Sequence, residues 1–192
     1  MRASSVPLAN DMENAMTSFG NYKLGQAPIK SKVFVSYHHQ RDQAYYDRFT
    51  QLFADGYEVI TDTSIDRRID SDDVSYQQQV IREQHITGSS ITVVLCGAET
   101  WKRQWVDWEI HMTLNKQHAL LGICLPTNPK GIDGKVTVPS RLHANIVSGY
   151  AHFIQWTDDP NALQVAIEKT REMARKTQNI NNSASRMEGN WP

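Results

Sequence analysis

The sequence has little of what marks secreted folds and the commoner nucleotide enzymes. Its 192 residues hold two cysteines, Cys96 and Cys124. Both sit in apolar runs without CxxC spacing, so two buried thiols in a reducing compartment are expected, not a disulfide framework. Neither sign of charge dominates, since 20 Lys and Arg face 21 Asp and Glu. That balance offers no broad electrostatic footprint for nucleic acid or an anionic membrane. No apolar run approaches the roughly 20 residues that cross a bilayer. The N-terminal stretch also lacks the apolar core of a signal peptide. A soluble, cytoplasmic protein is the expectation. Walker, GxGxxG and GxSxG motifs are all missing, which argues against P-loop, Rossmann dinucleotide and α/β-hydrolase chemistry.

What is present is alternation. Residues 1–31 show no sustained periodicity and read as a poorly ordered or loosely docked arm, and residues 176–192, rich in Asn and Ser, read as a tail that is poorly ordered or docked only by a partner. Between them lies one domain, residues 32–175. Lys32-Val-Phe-Val-Ser-Tyr37 is a first strand, and Tyr46, Phe49 and Phe53 mark a helix over Asp42–Phe53. Tyr57–Asp62 is a second strand, followed by a polar segment and a weaker helix over Asp73–His85, closed by Gly88. Ser90–Cys96 has the near-continuous apolar character of a central parallel strand covered on both faces. A helix over Arg103–Gln117 and a strand over Ala119–Leu125 follow, then a long loop at residues 126–151. His152–Trp156 is a fifth strand. Asp159 and Pro160 suit the N-cap and first position of a last helix.

Strands alternating with helices imply a three-layer α/β fold with a five-stranded, mainly parallel sheet. Ligands of such sheets bind beyond the carboxyl ends of the strands, where strand order reverses. Ser36, Tyr37 and His38 would then stand at the rim after strand one, with Asp62 and Ser64 after strand two and Gly97 and Ala98 after strand three.

One carboxylate stands on the wrong face of its helix. At about 100° per residue, Trp105, Val106, Trp108, Ile110 and Met112 occupy one broad arc, and Glu109 falls inside it, roughly 40° from Trp105. Asp107 and His111 fall on the opposite, solvated side. A carboxylate among tryptophans is costly unless it is paired, and such groups often serve a site. Glu109 is therefore either a pocket acid or a structural Glu bonded to a backbone N–H or to an arginine such as Arg103. The tryptophans themselves suit stacking on a base or plain core packing. His38 and His39 lack the spacing of metal ligands, and the acidic stretch Asp62–Asp73 lacks the order of a calcium loop, so no metal is expected.

Three stretches carry a family resemblance. Lys32-Val-Phe-Val-Ser-Tyr-His-His resembles the first-strand motif of TIR-like domains. Ser89-Ser-Ile-Thr-Val-Val-Leu-Cys-Gly-Ala-Glu-Thr-Trp resembles their third strand and the loop after it. Arg103-Gln-Trp-Val-Asp-Trp-Glu-Ile resembles the segment in which a Trp precedes the catalytic glutamate by four residues. Together these look most like the TIR-like subfamily of the Thoeris bacterial anti-phage systems. The resemblance implies a flavodoxin-like fold of the TIR type. It also implies an enzyme that takes NAD as substrate, with no further cofactor, and releases a signalling nucleotide. Glu109 would be the catalytic glutamate, with Ser36, Tyr37, His38, Asp62, Ser64 and Trp105 lining the substrate pocket. Self-association and an effector protein reached through the diffusible product are the implied partnerships. A non-catalytic TIR-like interaction module is the alternative. A response-regulator phosphoacceptor would need an aspartate where Cys96-Gly97 stands.

Overall fold

All six residues of Ile91–Cys96 are buried, and a strand with no solvated face belongs at the centre of a sheet. The computed structural model describes residues 31–53, 56–60, 83–185 and 187. The strands in chain order are β1 (Ser31–Ser36), β2 (Tyr57–Ile60), β3 (Ile91–Cys96), β4 (Ala119–Cys124) and β5 (His152–Gln155). The helices are α1 (His39–Phe53), α3 (Gln104–Asn115), α4 (Ser140–Val147) and α5 (Pro160–Ala174), with α2 the helical residues 83–88. The sheet runs β2-β1-β3-β4-β5, and every pair is parallel. This is the flavodoxin-like order, and the chain changes direction across the sheet between β1 and β3.

Alternation along the strands sorts two cores. Val35, Leu95 and Ile123 face Phe49 of α1 and Ile167 of α5. Val94, Cys96 and Leu120 face the other way, toward Ile110 of α3 and Leu142 of α4. Asp159 caps α5 by accepting from the Asn161 N–H at 3.0 Å, with Pro160 opening the helix. Among the described residues no helix is long and apolar enough to cross a membrane.

The second strand is described only as Tyr57–Ile60, and residues 61–82, including Asp62, Ser64 and most of the expected helix Asp73–His85, lie outside the described residues. The stretch 126–151 is not all loop, because α4 forms within it directly after Pro139. That helix also removes Asp107 from solvent. Asp107 is 3 % exposed and receives Arg141 Nε at 3.0 Å and Nη2 at 3.2 Å, from a guanidinium that is itself fully buried. A helical wheel of α3 alone cannot anticipate a cation supplied from another helix.

The tail differs from its expectation too. The composition beyond Lys176 predicts a poorly ordered tail, yet Thr177–Asn179 form a short 3-10 turn and residues 181–185 dock across α3 and α4. The Asn145 side chain reads the main chain of Asn181 in both senses, donating to its carbonyl at 2.7 Å and accepting its N–H at 2.9 Å. Arg141 donates to Asn182 Oδ1 at 2.7 Å and to the carbonyls of Ala184 and Ser185 at 2.9 and 3.2 Å. His111, expected in solvent, is half-buried, and its Nδ1 meets Asn182 Oδ1 at 3.1 Å. Residues 1–30 lie outside the described residues.

Candidate functional site

The carboxyl ends of β1 and β3 flank the point where strand order reverses. The link from β1 to α1 is only Tyr37 and His38 long. It closes tightly because the His38 carbonyl accepts the N–H groups of Arg41 and Asp42 at 3.1 and 2.9 Å. Alternation carries on past the strand. Tyr37 follows Val33 and Val35 into the core beneath α1, where it stacks on Tyr46 at 4.5 Å and its hydroxyl donates to Gln43 at 2.8 Å. Ser36 and His38 follow Phe34 to the side of α3. Ser36 is 1 % exposed, and its Oγ has no hydrogen-bond partner among the described residues.

Glu109 is buried, 3 % exposed, on α3. Its height above the sheet follows from two contacts. Thr113 Oγ1 meets Thr92 Oγ1 of β3 at 2.7 Å, which sets Thr113 over Thr92. One helical turn back, about 5.4 Å, lies Glu109, and two strand residues on, about 6.6 Å, lies Val94. Val94 pairs in register with Ser36. Glu109 and Ser36 therefore stand level, near the carboxyl edge of the sheet. Trp105 and Trp108 meet edge to face at 6.0 Å, and both pack with Phe34 and Ile86 beside that acid. Trp105 remains half-buried.

Arg103, which the sequence offered as one possible partner of Glu109, meets His38. As the residue before α3, in an extended conformation, its guanidinium Nη2 donates to Nε2 of His38. A cation donating to Nε2 leaves the ring proton on Nδ1. Burial lowers the His38 pKa, and the Arg103 charge lowers it further, so His38 is a neutral donor at physiological pH. Arg103 Nε is buried with no partner among the described residues. On the outer side Glu99 binds Arg41 Nε at 2.8 Å and lies 3.9 Å from His38 Nε2.

A second polar group fills the rim between β3 and β4. Asp42, in the first turn of α1, is 1 % exposed, accepts the Thr127 hydroxyl at 3.2 Å and lies 3.4 Å from that of Thr100. It fits only because residue 97 is glycine. A Cβ there would lie 2.6 Å from Asp42 Cγ and closer still to the carboxylate oxygens. Among the described residues no group of three His, Cys, Asp or Glu side chains is placed to hold a metal.

Of the residues expected to line a site, Ser36, His38, Glu109 and Trp105 are gathered on the α3 side of the switch point. Tyr37 is turned to the opposite face, and Asp62 and Ser64 lie outside the described residues. Arg103, Asp42, Thr100 and Thr127 were missed as site residues. Asp42 carried the only signal, an acid on the face that its helix buries.

A search of curated proteins gives no match. Among solved structures, the chain is similar to a 2-deoxyribosyltransferase from the psychrotolerant bacterium Bacillus psychrosaccharolyticus. Identity there is 13 %, over 70 % of this chain and 90 % of that one, with a TM-score of 0.51. That likeness concerns the fold. The TIR domains of the activated Roq1 resistosome also match, at 12 % identity over 79 % of this chain and 86 % of that one, with a TM-score of 0.39. The family model described as Thoeris protein ThsB, TIR-like domain, matches residues 34–130, a span that holds the end of β1, all of β2, β3 and β4, and Glu109. That span is half of the chain, and the protein belongs to the TIR-like family of the Thoeris protein ThsB.

Proposed function

We propose that the chain cleaves the bond between nicotinamide and ribose in NAD, with Glu109 as the catalytic carboxylate. The observation that carries this reading is the position of Glu109, a buried acid level with Ser36 at the switch point, four residues after Trp105. Breaking an N-glycosidic bond builds oxocarbenium-like positive charge on the sugar. A carboxylate fixed where water is scarce stabilises that charge far better than one in bulk solvent. Nicotinamide leaves as a neutral molecule, so the reaction needs no strong general acid, and a single glutamate suffices.

Ser36 and His38 supply the wall beside the ribose. The Ser36 hydroxyl is uncommitted among the described residues, and His38 presents an Nδ1–H because Arg103 occupies Nε2. Capture of the ribose by a nucleophile other than water would give a cyclic or conjugated ADP-ribose, the signal for a partner effector. The decisive experiment expresses the wild type and Glu109→Gln in cells challenged with phage and follows NAD and ADP-ribose species by mass spectrometry. A new ADP-ribose species with the wild type alone supports the enzyme and identifies its product. Protection by both proteins with an unchanged nucleotide pool would overturn it in favour of an interaction module.

A further inference from the structure

The rim holds one buried acid for which the cleavage chemistry has no use. Asp42 has two hydroxyl neighbours, Thr127 Oγ1 at 3.2 Å from Oδ1 and Thr100 Oγ1 at 3.4 Å from Oδ2. Among the described residues no cation forms an ion pair with it. A lone carboxylate buried to this degree carries a large desolvation cost as an anion.

Thr100 bears on the protonation state through its hydrogen inventory. Its hydroxyl has one proton and three contacts: the Gly97 N–H at 2.9 Å, the Leu95 carbonyl at 3.1 Å and Asp42 Oδ2 at 3.4 Å. Gly97 can only donate, so one proton faces two acceptors and can serve one of them, and the Leu95 carbonyl is the nearer. Thr100 Oγ1 is left with a free lone pair facing Asp42 Oδ2. An ionised Asp42 would set acceptor against acceptor. A proton on Oδ2 turns all three contacts into hydrogen bonds and still leaves Oδ1 to accept from Thr127.

We propose that Asp42 is carried as a neutral carboxylic acid whose proton latches α1 to the segments that follow β3 and β4. Burial pushes its pKa above the ordinary carboxylate value, against the opposing hydrogen bonds of Thr127 and Thr100 and the charges of His38 and Arg41. The groups facing it from each side are His38 on the β1–α1 link, Arg41 on its own helix and Cys96 at the end of β3. Glu99 and Arg103 lie beyond His38, and Lys130 lies toward Cys124. His38 is itself neutral, and Arg41 is bound to Glu99 and makes no ion pair with Asp42. The latch bears on the site, because the carbonyl of Thr100 accepts the N–H of Arg103 at 3.2 Å and Arg103 holds His38.

The test is a carbon-13 titration of the Asp42 carboxyl in the full chain, with melting curves of the wild type and Asp42→Asn across pH. The amide of Asp42→Asn donates to Thr100 and accepts from Thr127, as the protonated acid does. The expected result is a carboxyl carbon that still reports the protonated acid at about pH 7, with its midpoint well above the ordinary value of 3.8. The wild type then loses stability as pH rises from 3.8 through that midpoint. Asp42→Asn does not, so its melting temperature pulls ahead over the same interval and draws level in acid. A carboxyl already ionised at about pH 7, or a melting difference that does not change with pH, overturns the proposal. The titration needs no variant, so a misfolded Asp42→Asn leaves it decisive. Neither readout involves NAD, so this proposal and the NAD-cleaving reading fail separately.

Discussion

At the scale of single residues, Glu109 and His38 make opposite demands on their surroundings. On the NAD-cleaving reading Glu109 acts as a carboxylate where charge is costly, and Glu109→Gln removes function while keeping shape. Turnover then falls by roughly 10²–10³-fold or more, measured as nicotinamide released per protein in the activated state. His38 acts by being neutral. Its pKa lies below 6.5 because of burial first and Arg103 second. The folded state therefore binds its proton less readily than the unfolded chain, and stability falls as pH drops from 6.5 through the lowered value. His38→Gln, which keeps an acceptor for Arg103, flattens this acid-side loss of melting temperature; an unchanged slope would contradict the assignment. His118 and His152, also held low by burial, supply the background that remains.

The acid at position 109 was legible in the sequence because its signal is local, a carboxylate inside an aromatic arc of one helix. The partner of His38 was not, because Arg103 lies 65 residues away and nothing in either neighbourhood encodes the meeting. The same holds for Asp42 and Thr100, 58 residues apart.

At the scale of elements, the contacts between segments carry the load. The pair Gly97 and Asp42 joins β3 to α1. Gly97→Ala forces a methyl onto the carboxyl group at a cost of about 1–3 kcal/mol. Combined with a truncation of Asp42 that vacates the space, its effect should be clearly non-additive in denaturant melts. The contact of α3 with α4 adds a buried ion pair, Arg141 with Asp107, to its apolar packing. Arg141→Met leaves Asp107 charged, buried and unpaired, and should cost about 3–5 kcal/mol by the same measurement. Ending the chain after Ile180 removes the docked tail and should lower stability by about 2–4 kcal/mol, given net values near 1 kcal/mol per hydrogen bond. An unaffected melting point would show that the tail is ornamental. The helix α4 escaped sequence reading because it is eight residues long and lies in a stretch with several prolines and glycines. Its buried face also carries Arg141 and Asn145 beside Leu142, which hides the apolar periodicity.

At the scale of the whole molecule, the strands were readable because burial on both faces leaves a near-continuous apolar run, as in Ile91–Cys96 and Ala119–Cys124. Cys96 and Cys124 end those two strands as paired neighbours at the centre of the sheet, 0 % and 3 % exposed. Burial also raises both thiol pKa values, which leaves them unreactive as thiolates. A thiol reagent should modify neither cysteine in the native protein and both in denaturant. The native-state labelling rate should then follow the global unfolding equilibrium. Fast labelling without denaturant would mean that the sheet opens locally between β3 and β4.

The docked tail has a consequence for how this chain can drift over evolutionary time. Arg141 and Asn145 hold it largely by its backbone, through the carbonyls of Asn181, Ala184 and Ser185. A carbonyl is the same in every amino acid, so positions 184 and 185 accept nearly any side chain without loosening the hold. Asn182 is different, because its side-chain amide meets Arg141, the His111 carbonyl and Asn115 at once. A mutational scan of the tail should be nearly flat except for one deep notch at that asparagine.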